Sequence, residues 1–129
     1  MNEGGLVIRH VMNIRTFSNI LVAAIAAFAT AGSAVAQSQH EMNRQAEADF
    51  EKADAELNRV YKKTLSDLDA EGQKKLKAAQ RAWIAFRDAE AEFDADSEAR
   101  GGSMYTMIYY SSLARLTRDR IKQLRAISQ

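Results

Sequence analysis

The 129-residue chain contains no cysteine and no proline. The lack of cysteine excludes disulfides, thiol chemistry and cysteine-bound zinc, so the fold depends on packing alone. The lack of proline leaves long helices uninterrupted. Histidine is also scarce. His40 is the one histidine beyond residue 36, and it lies near the start of the segment 37–129. No serine lies in a nucleophile motif either. Because these residues, which often perform catalysis or bind metals, are absent or few, we expect no catalysis, no metal and no cofactor.

The first 36 residues have the pattern of a secretory leader. Arg15 precedes an apolar run from Ile20 to Ala36, and Ala34-Val35-Ala36 before Gln37 fits the small-x-small cleavage signal. The apolar core of the run is short for a bilayer span, which takes ~20 residues, although a retained anchor is the alternative. We predict a signal peptide over residues 1–36, with Met12 as an alternative start. The single domain 37–129 would then be periplasmic or secreted, without a stable membrane anchor.

The domain 37–129 has balanced but unevenly distributed charge. Its basic and acidic residues are equal in number, because the leader takes Arg9 and Arg15 from 18 basic residues and Glu3 from 17 acidic ones. This balance gives no support to nucleic-acid binding. An acidic run nevertheless occupies residues 88–98, and a basic tail occupies residues 115–125.

Apolar spacing predicts two long helices in the first part of this domain. One runs from about Gln39 to Leu68, after a capping box formed by Ser38 and Glu41. Its apolar stripe is Ala46, Phe50, Ala53, Leu57, Tyr61, Thr64 and Leu68. The second runs from about Ala70 to Ala99, with Asp69 as its N-cap. Its apolar stripe is Leu76, Ala79, Trp83, Phe86 and Phe93.

A third helix follows a glycine-containing loop. Gly101 or Gly102 can take the left-handed conformation that ends a helix, and the third helix begins between Ser103 and Thr106. Its apolar face is Tyr110, Leu113, Ala114, Thr117, Ile121 and Leu124. We therefore predict an all-α fold, an antiparallel bundle of three long helices after the signal peptide.

Polar residues interrupt the apolar stripes of the first two helices. Asp54 lies within the first stripe, while Gln80 and Arg87 lie one turn to either side of Trp83, the chain's single tryptophan. A lone buried charge is costly, whereas a hydrogen-bonded pair is tolerated. We predict an Asp54–Arg87 ion pair, with Arg87 also against Trp83. The remaining hydrogen bonds of the pair are assigned to Gln80, Asn58 and Tyr61. We interpret the set as a structural brace between helices, with a binding site as the alternative.

The same residues form two motifs, D-x-x-L-N-x-x-Y and Q-x-x-W-x-x-x-R. In this sequence they are Asp54, Leu57, Asn58, Tyr61, Gln80, Trp83 and Arg87. With "GGSM" and "SLARLTRDRIKQL", they make nearly all of residues 37–129 resemble the LprI-type lysozyme-inhibitor N-terminal domain family. These are small exported helical proteins of bacteria. Because the family is named for lysozyme inhibition, the resemblance implies lysozyme as a protein partner. Family members usually carry cysteines, and the matching positions here are Gln45, Ala91 and Ser112.

The acidic run and the loop after it suggest a partner-binding surface. The candidate residues are Asp88, Glu92, Asp96, Arg100, Gly101, Gly102 and Ser103. Negative charge would attract a basic lysozyme, and the loop would enter its cleft, where two carboxylates perform the cleavage. Arg100 would pair with one carboxylate, and the Ser103 hydroxyl would donate to the second. The plainer interpretation is a solvated helix followed by a helix cap.

A second functional hypothesis is a non-catalytic structural or adaptor protein of the envelope. The segment "SMYTMIYY", residues 103–110, offers more apolar and aromatic surface than one helical stripe buries. Such surface often binds a partner or a second copy. The alternative is that it covers one end of the bundle. The oligomeric state stays open at this point.

Overall fold

The computed structural model describes the backbone of residues 14–127 and the side chains of residues 34–127. The chain divides into two units, residues 1–36 and 37–129. The helices are α1 (Ile14–Ser66), α2 (Ala70–Ala99) and α3 (Tyr105–Ile127), which confirms the all-α prediction. The alternative start Met12 lies outside the described residues, and the signal peptide stays a prediction. None of the described helices is long and apolar enough to span a bilayer.

Helix α1 begins at Ile14, so the predicted start at Gln39 is wrong. Ser38 and Glu41 lie inside the helix, where Ser38 cannot act as an N-cap. The preceding residues include many alanines, the strongest helix former, and no proline. The residues on both sides of the capping-box pattern favour a helix. The pattern therefore does not mark the start of α1. At the far end, the Ser66 hydroxyl donates to the Lys63 carbonyl oxygen at 2.7 Å.

Helix α2 has the predicted bounds. The Asp69 carboxylate accepts a hydrogen bond from the Gly72 backbone N–H at 2.8 Å, as an N-cap does. After Ala99, Gly101 has φ 70°, and the Gly102 N–H donates to the Ala99 carbonyl oxygen at 2.8 Å. The glycine ending is therefore confirmed at Gly101, and the sharp turn lets α3 return along α2.

Contacts between the helices give the order of the bundle. Asp54 pairs with Arg87, whereas Leu57 and Val60, which lie further along α1, share a cluster with Leu76, which lies earlier in α2. Helix α1 therefore runs antiparallel to α2. Tyr110 donates to Glu47, and Arg125 pairs with Glu56 further along, so α3 runs parallel to α1. Each helix is therefore antiparallel to the next in sequence. The predicted three-helix bundle is confirmed.

Large aliphatic side chains concentrate in one half of the bundle. The cluster contains Leu57, Val60, Leu76, Ile121 and Leu124, with Tyr61, Leu65, Leu68 and Trp83 packed against it. The second half has more small residues in its core, where Ala91 and Ala95 are fully buried and Leu113 is a buried large aliphatic residue. Alanine allows two helix backbones to approach closely. Hydrophobic burial is therefore strongest near the α1–α2 turn and the end of α3.

The buried face of α2 differs from the predicted stripe. Phe86 and Phe93 are 53% and 66% exposed, and Ala79 is also exposed. The buried residues are Leu76, Gln80, Arg87, Ala91 and Ala95. Large apolar residues occupy more than one side of α2, so size did not identify the inner side. Close packing selected the side with small alanines and paired polar groups.

Thr117 on α3 is fully buried, and its hydroxyl oxygen has no hydrogen-bond partner within the described part of the chain. An unsatisfied buried hydroxyl costs about 1–3 kcal/mol, and valine has nearly the same shape without the polar atom. We expect Thr117→Val to raise the free energy of unfolding by about 1 kcal/mol, measured by urea denaturation. Thr106→Val at an exposed α3 position is the control and should be nearly neutral. A loss of stability in Thr117→Val would show that the hydroxyl is satisfied.

Candidate functional site

Arg87 lies at the centre of the predicted polar set. Its Nη1 donates to Asp54 Oδ1 at 3.1 Å across the α1–α2 interface, and its Nε donates to Asp88 Oδ1 at 2.8 Å. The guanidinium carbon also lies 5.3 Å from the Phe50 ring centroid and 5.4 Å from that of Trp83. The predicted contacts with Asp54 and Trp83 are present. Sequence reasoning missed Asp88 and Phe50 as further contacts.

The ion pair is only partly shielded from water. The Arg87 side chain is 10% exposed, whereas the Asp54 side chain is 38% exposed. Asn58 donates to the second carboxylate oxygen of Asp54 at 3.1 Å, as expected. The prediction that both charges lie away from water is therefore wrong for Asp54.

Gln80 does not complete the hydrogen bonds of the pair, contrary to the prediction. Its Oε1 accepts from Arg120 Nε of α3 at 3.1 Å. The Arg120 guanidinium carbon lies 5.8 Å from the Trp83 ring centroid, so arginines from α2 and α3 both contact this ring. Partial burial lowers the pKa of Arg120 from its ordinary value. Arg120 belongs to the basic tail at residues 115–125, but the spacing of the charges in that tail did not predict its contact with Gln80.

A shallow groove of about 400 Å³ opens between α1 and α2 at these residues. Its lining includes Asp54, Leu57, Asn58, Tyr61, Lys77, Gln80, Arg81, Ile84 and Arg87. No hydrogen bond joins Tyr61 to the Asp54–Arg87 pair among the described contacts, although that bond was predicted. Tyr61 instead lines the groove and packs against the aliphatic cluster. The motif residues therefore both join the helices and form part of an accessible surface.

A second concave surface lies where α2 meets the loop. It measures about 330 Å³ and is lined by Ala89, Glu92, Phe93, Asp96, Ser97, Arg100 and Tyr105. Arg100 donates to Asp96 Oδ2 from Nη2 at 2.8 Å, and its side chain is 78% exposed. Gly101, Gly102 and Ser103 follow and are exposed. We call Glu92, Asp96, Arg100 and residues 101–103 the acidic end.

The structure separates the members of the acidic run. Asp88 is bound to Arg87, so its charge is already partly balanced. Asp94 faces α3, where it accepts from the Ser112 hydroxyl at 2.6 Å and from Arg115 at 2.9 Å. Glu92 and Asp96 remain on the accessible side. Of the predicted partner-binding residues, Asp88 belongs with the Arg87 cluster and the others form the acidic end.

The segment 103–110 forms an aromatic cluster at the start of α3. Tyr105 and Tyr109 stack at 6.5 Å, and Tyr109 meets Tyr110 edge-on at 5.4 Å. Tyr110 also lies 6.1 Å from Phe50 and donates to Glu47, a bond that raises the pKa of Tyr110. Through Tyr110 this segment contacts α1, and Tyr105, Tyr109 and Tyr110 are half-buried. The covering of one end of the bundle by this segment stays a prediction. Among the described residues, no group of three or more histidines and acids could hold a metal ion.

Comparisons with known proteins identify the family of this chain. The family model described as "Lysozyme inhibitor LprI" matches residues 29–124. The chain belongs to the LprI family. An uncharacterized protein of Rhizobium meliloti (strain 1021) is 42% identical over an alignment of 107 residues, and the alignment covers 73% of this chain and 76% of that protein. Both polar motifs and the glycine loop fall within the region matched by the LprI model.

A crystal structure shows a related fold. It is a DUF1311 family protein of Pseudomonas putida KT2440, with a TM-score of 0.64 and 21% sequence identity. The likeness covers 69% of this chain and 92% of that one. At this identity the likeness establishes the fold alone. The LprI match, in contrast, gives a family whose name refers to inhibition and not to catalysis.

Proposed function

We propose that this protein is an exported, non-catalytic inhibitor of lysozyme or a related wall-degrading enzyme. The observation that carries the proposal is the LprI match over residues 29–124. The same proposal has residues 1–36 removed after Ala36 and the domain 37–129 acting in the periplasm or outside the cell. The polar set of Asp54, Asn58, Tyr61, Gln80, Trp83 and Arg87 then serves as a brace that keeps the bundle in register.

The acidic end is the proposed contact surface. Glu92 and Asp96 give it negative charge, which attracts a basic enzyme. The loop at residues 101–103 is exposed, and its two glycines carry no side chains that would hinder its entry into a substrate cleft. These features support binding at the cleft without any reaction by this chain.

Arg100 has a defined part in this proposal. Its ion pair with Asp96 is exposed and joins residues four apart in the sequence. Such pairs contribute about 0.3–0.5 kcal/mol to stability. Arg100 can therefore exchange Asp96 for a carboxylate of the enzyme at small cost. The Ser103 hydroxyl, two residues past the left-handed Gly101, would donate to a second carboxylate.

Inhibition assays test the function and the surface separately. The purified chain is titrated into a basic lysozyme, and clearing of a cell-wall suspension is followed. We expect Glu92→Gln/Asp96→Asn to weaken inhibition roughly tenfold, and added salt to weaken the wild type. Glu51→Gln, at an exposed acid on α1, is the control and should inhibit like the wild type.

Two results would contradict the proposal in different ways. No inhibition by the wild type at micromolar excess would remove lysozyme inhibition as the function. Unchanged inhibition by Glu92→Gln/Asp96→Asn and by Arg100→Ala/Ser103→Ala would retain the function but exclude the acidic end. The groove variant Lys77→Ala/Arg81→Ala would then be the next candidate, because both cations line the α1–α2 groove.

A further inference from the structure

Helix α2 carries an apolar stripe on a side that the bundle does not cover. The outer stripe consists of Ala79, Ala82, Phe86, Ala89 and Phe93, and all five residues are exposed. Phe86 and Phe93 are 53% and 66% exposed. The buried residues of the same helix, Leu76, Gln80, Arg87, Ala91 and Ala95, occupy another side. The stripe is therefore not a part of the core.

The spacing of the outer stripe is that of a coiled-coil contact. Residues 79, 86 and 93 are seven apart, as are residues 82 and 89, which places them at the a and d positions of a heptad. The stripe extends along the helix for about 21 Å at ~1.5 Å per residue. Single exposed apolar residues are common, but an aligned row of them indicates a surface that packs against a helix.

The charges along α2 favour one orientation of that second helix. Lys75 lies in line with the stripe before Ala79, and Asp96 lies in line with it after Phe93, because residues 75, 82, 89 and 96 are seven apart. A second α2 in antiparallel orientation brings each Lys75 within about one turn of Asp96 of the other copy, whereas a parallel one places Lys75 beside Lys75 and Asp96 beside Asp96. The helix dipoles also oppose each other favourably when the two helices are antiparallel.

The sizes of the side chains fit the same arrangement. In an antiparallel pair centred between Phe86 and Ala89, each Phe86 lies opposite an Ala89, and each Phe93 lies opposite an Ala82. Large side chains thus face small ones at these four positions, which fills space without overlap, and Ala79 lies opposite Asp96. The sequence of α2 is therefore complementary to itself in both charge and volume.

We propose that the outer stripe is a self-association surface, on which α2 of a second copy of this chain packs in antiparallel orientation. The loop at residues 101–103 follows the C-terminal end of α2. The two loops of the dimer would therefore lie at opposite ends of the antiparallel pair. Glu92 and Asp96 border both the stripe and the acidic end, so dimerisation and enzyme binding share an edge. The proposal does not depend on lysozyme inhibition.

The absence of cysteine allows a direct test by site-specific crosslinking of the full chain. Single cysteines are introduced and treated with a short bismaleimide, and dimers are separated by size. Ala89→Cys lies near the centre of the pair and should crosslink to itself at least tenfold more than Lys62→Cys, an exposed control on α1. Ala79→Cys should not crosslink to itself. A mixture of Ala79→Cys and Ser97→Cys should give the mixed dimer.

A second pair of variants separates loss of contact from loss of folding. Phe86→Ser and Phe93→Ser, each combined with Ala89→Cys, should reduce the crosslinked dimer at least tenfold. Both side chains are exposed, so the melting temperature at low protein concentration should stay close to that of the parent. Crosslinking of Ala89→Cys no greater than that of Lys62→Cys would overturn the proposal. Self-crosslinking of Ala79→Cys would overturn the antiparallel orientation.

Discussion

Arg87→Ala is expected to lower the free energy of unfolding by about 2–4 kcal/mol. The substitution removes a side chain that is 10% exposed and bridges α1 and α2. It also removes contacts with the Phe50 and Trp83 rings, each worth about 0.5–2 kcal/mol. Asp54 loses its cationic partner, although its 38% exposure limits that cost through hydration. In a domain of this size the melting temperature should fall by roughly 10–20 °C, measured by circular dichroism.

Two companion variants identify which contact matters. Asp54→Asn keeps the shape of the site and should cost at most about 1 kcal/mol, because Asp88 still holds the guanidinium. Asp54→Leu/Arg87→Met removes both charges and refills the space, so it should be milder than Arg87→Ala. The brace would be refuted if Arg87→Ala melted at the wild-type temperature.

The ends of α2 and the start of α3 were predictable because local chemistry determines them. Asp69 can cap the backbone N–H groups that follow it, and Gly101 tolerates the positive φ that ends the helix. The stripes of α1 and α3 were also correct, since each contains one continuous apolar side. Leu57, Leu113 and Leu124 are buried accordingly.

The buried side of α2 was not predictable from apolar residues alone. Its two phenylalanines and its tryptophan lie on different sides, and only packing against α1 and α3 decides which side is inside. The Arg87–Asp54 contact was found because two polar residues occupied predicted apolar stripes. Arg120 was missed because its role requires α3 to pass beside Gln80, which is a tertiary fact.

The resemblance to the family implied cysteines at three positions, and the structure shows what this chain has there instead. Ala91 is fully buried, and the Ser112 hydroxyl donates to Asp94 at 2.6 Å across the α2–α3 interface. Gln45 is exposed and bonds Asp49 within α1. A hydrogen bond does not restrict the unfolded chain as a disulfide does. Stability must therefore come from the folded state, mainly from its aliphatic cluster.

Leu124→Ala is expected to be among the most damaging single substitutions, at about 3–4 kcal/mol. Leu124 is fully buried and belongs to the cluster that joins α1, α2 and α3. Removing its side chain loses apolar burial and leaves a cavity that three helices cannot all close. The loss is comparable with the whole stability of a marginal domain, which begins at about 5 kcal/mol.

Urea denaturation of Leu124→Ala and Ile127→Ala isolates the effect of burial. Ile127 lies one turn further along α3 and is 53% exposed, so Ile127→Ala should cost about 1 kcal/mol or less. The difference between the two variants reports on the aliphatic cluster and not on helix propensity, which alanine improves in both. Equal unfolding midpoints for the two variants would mean that the α1–α2 turn end of the bundle does not hold the cysteine-free fold together.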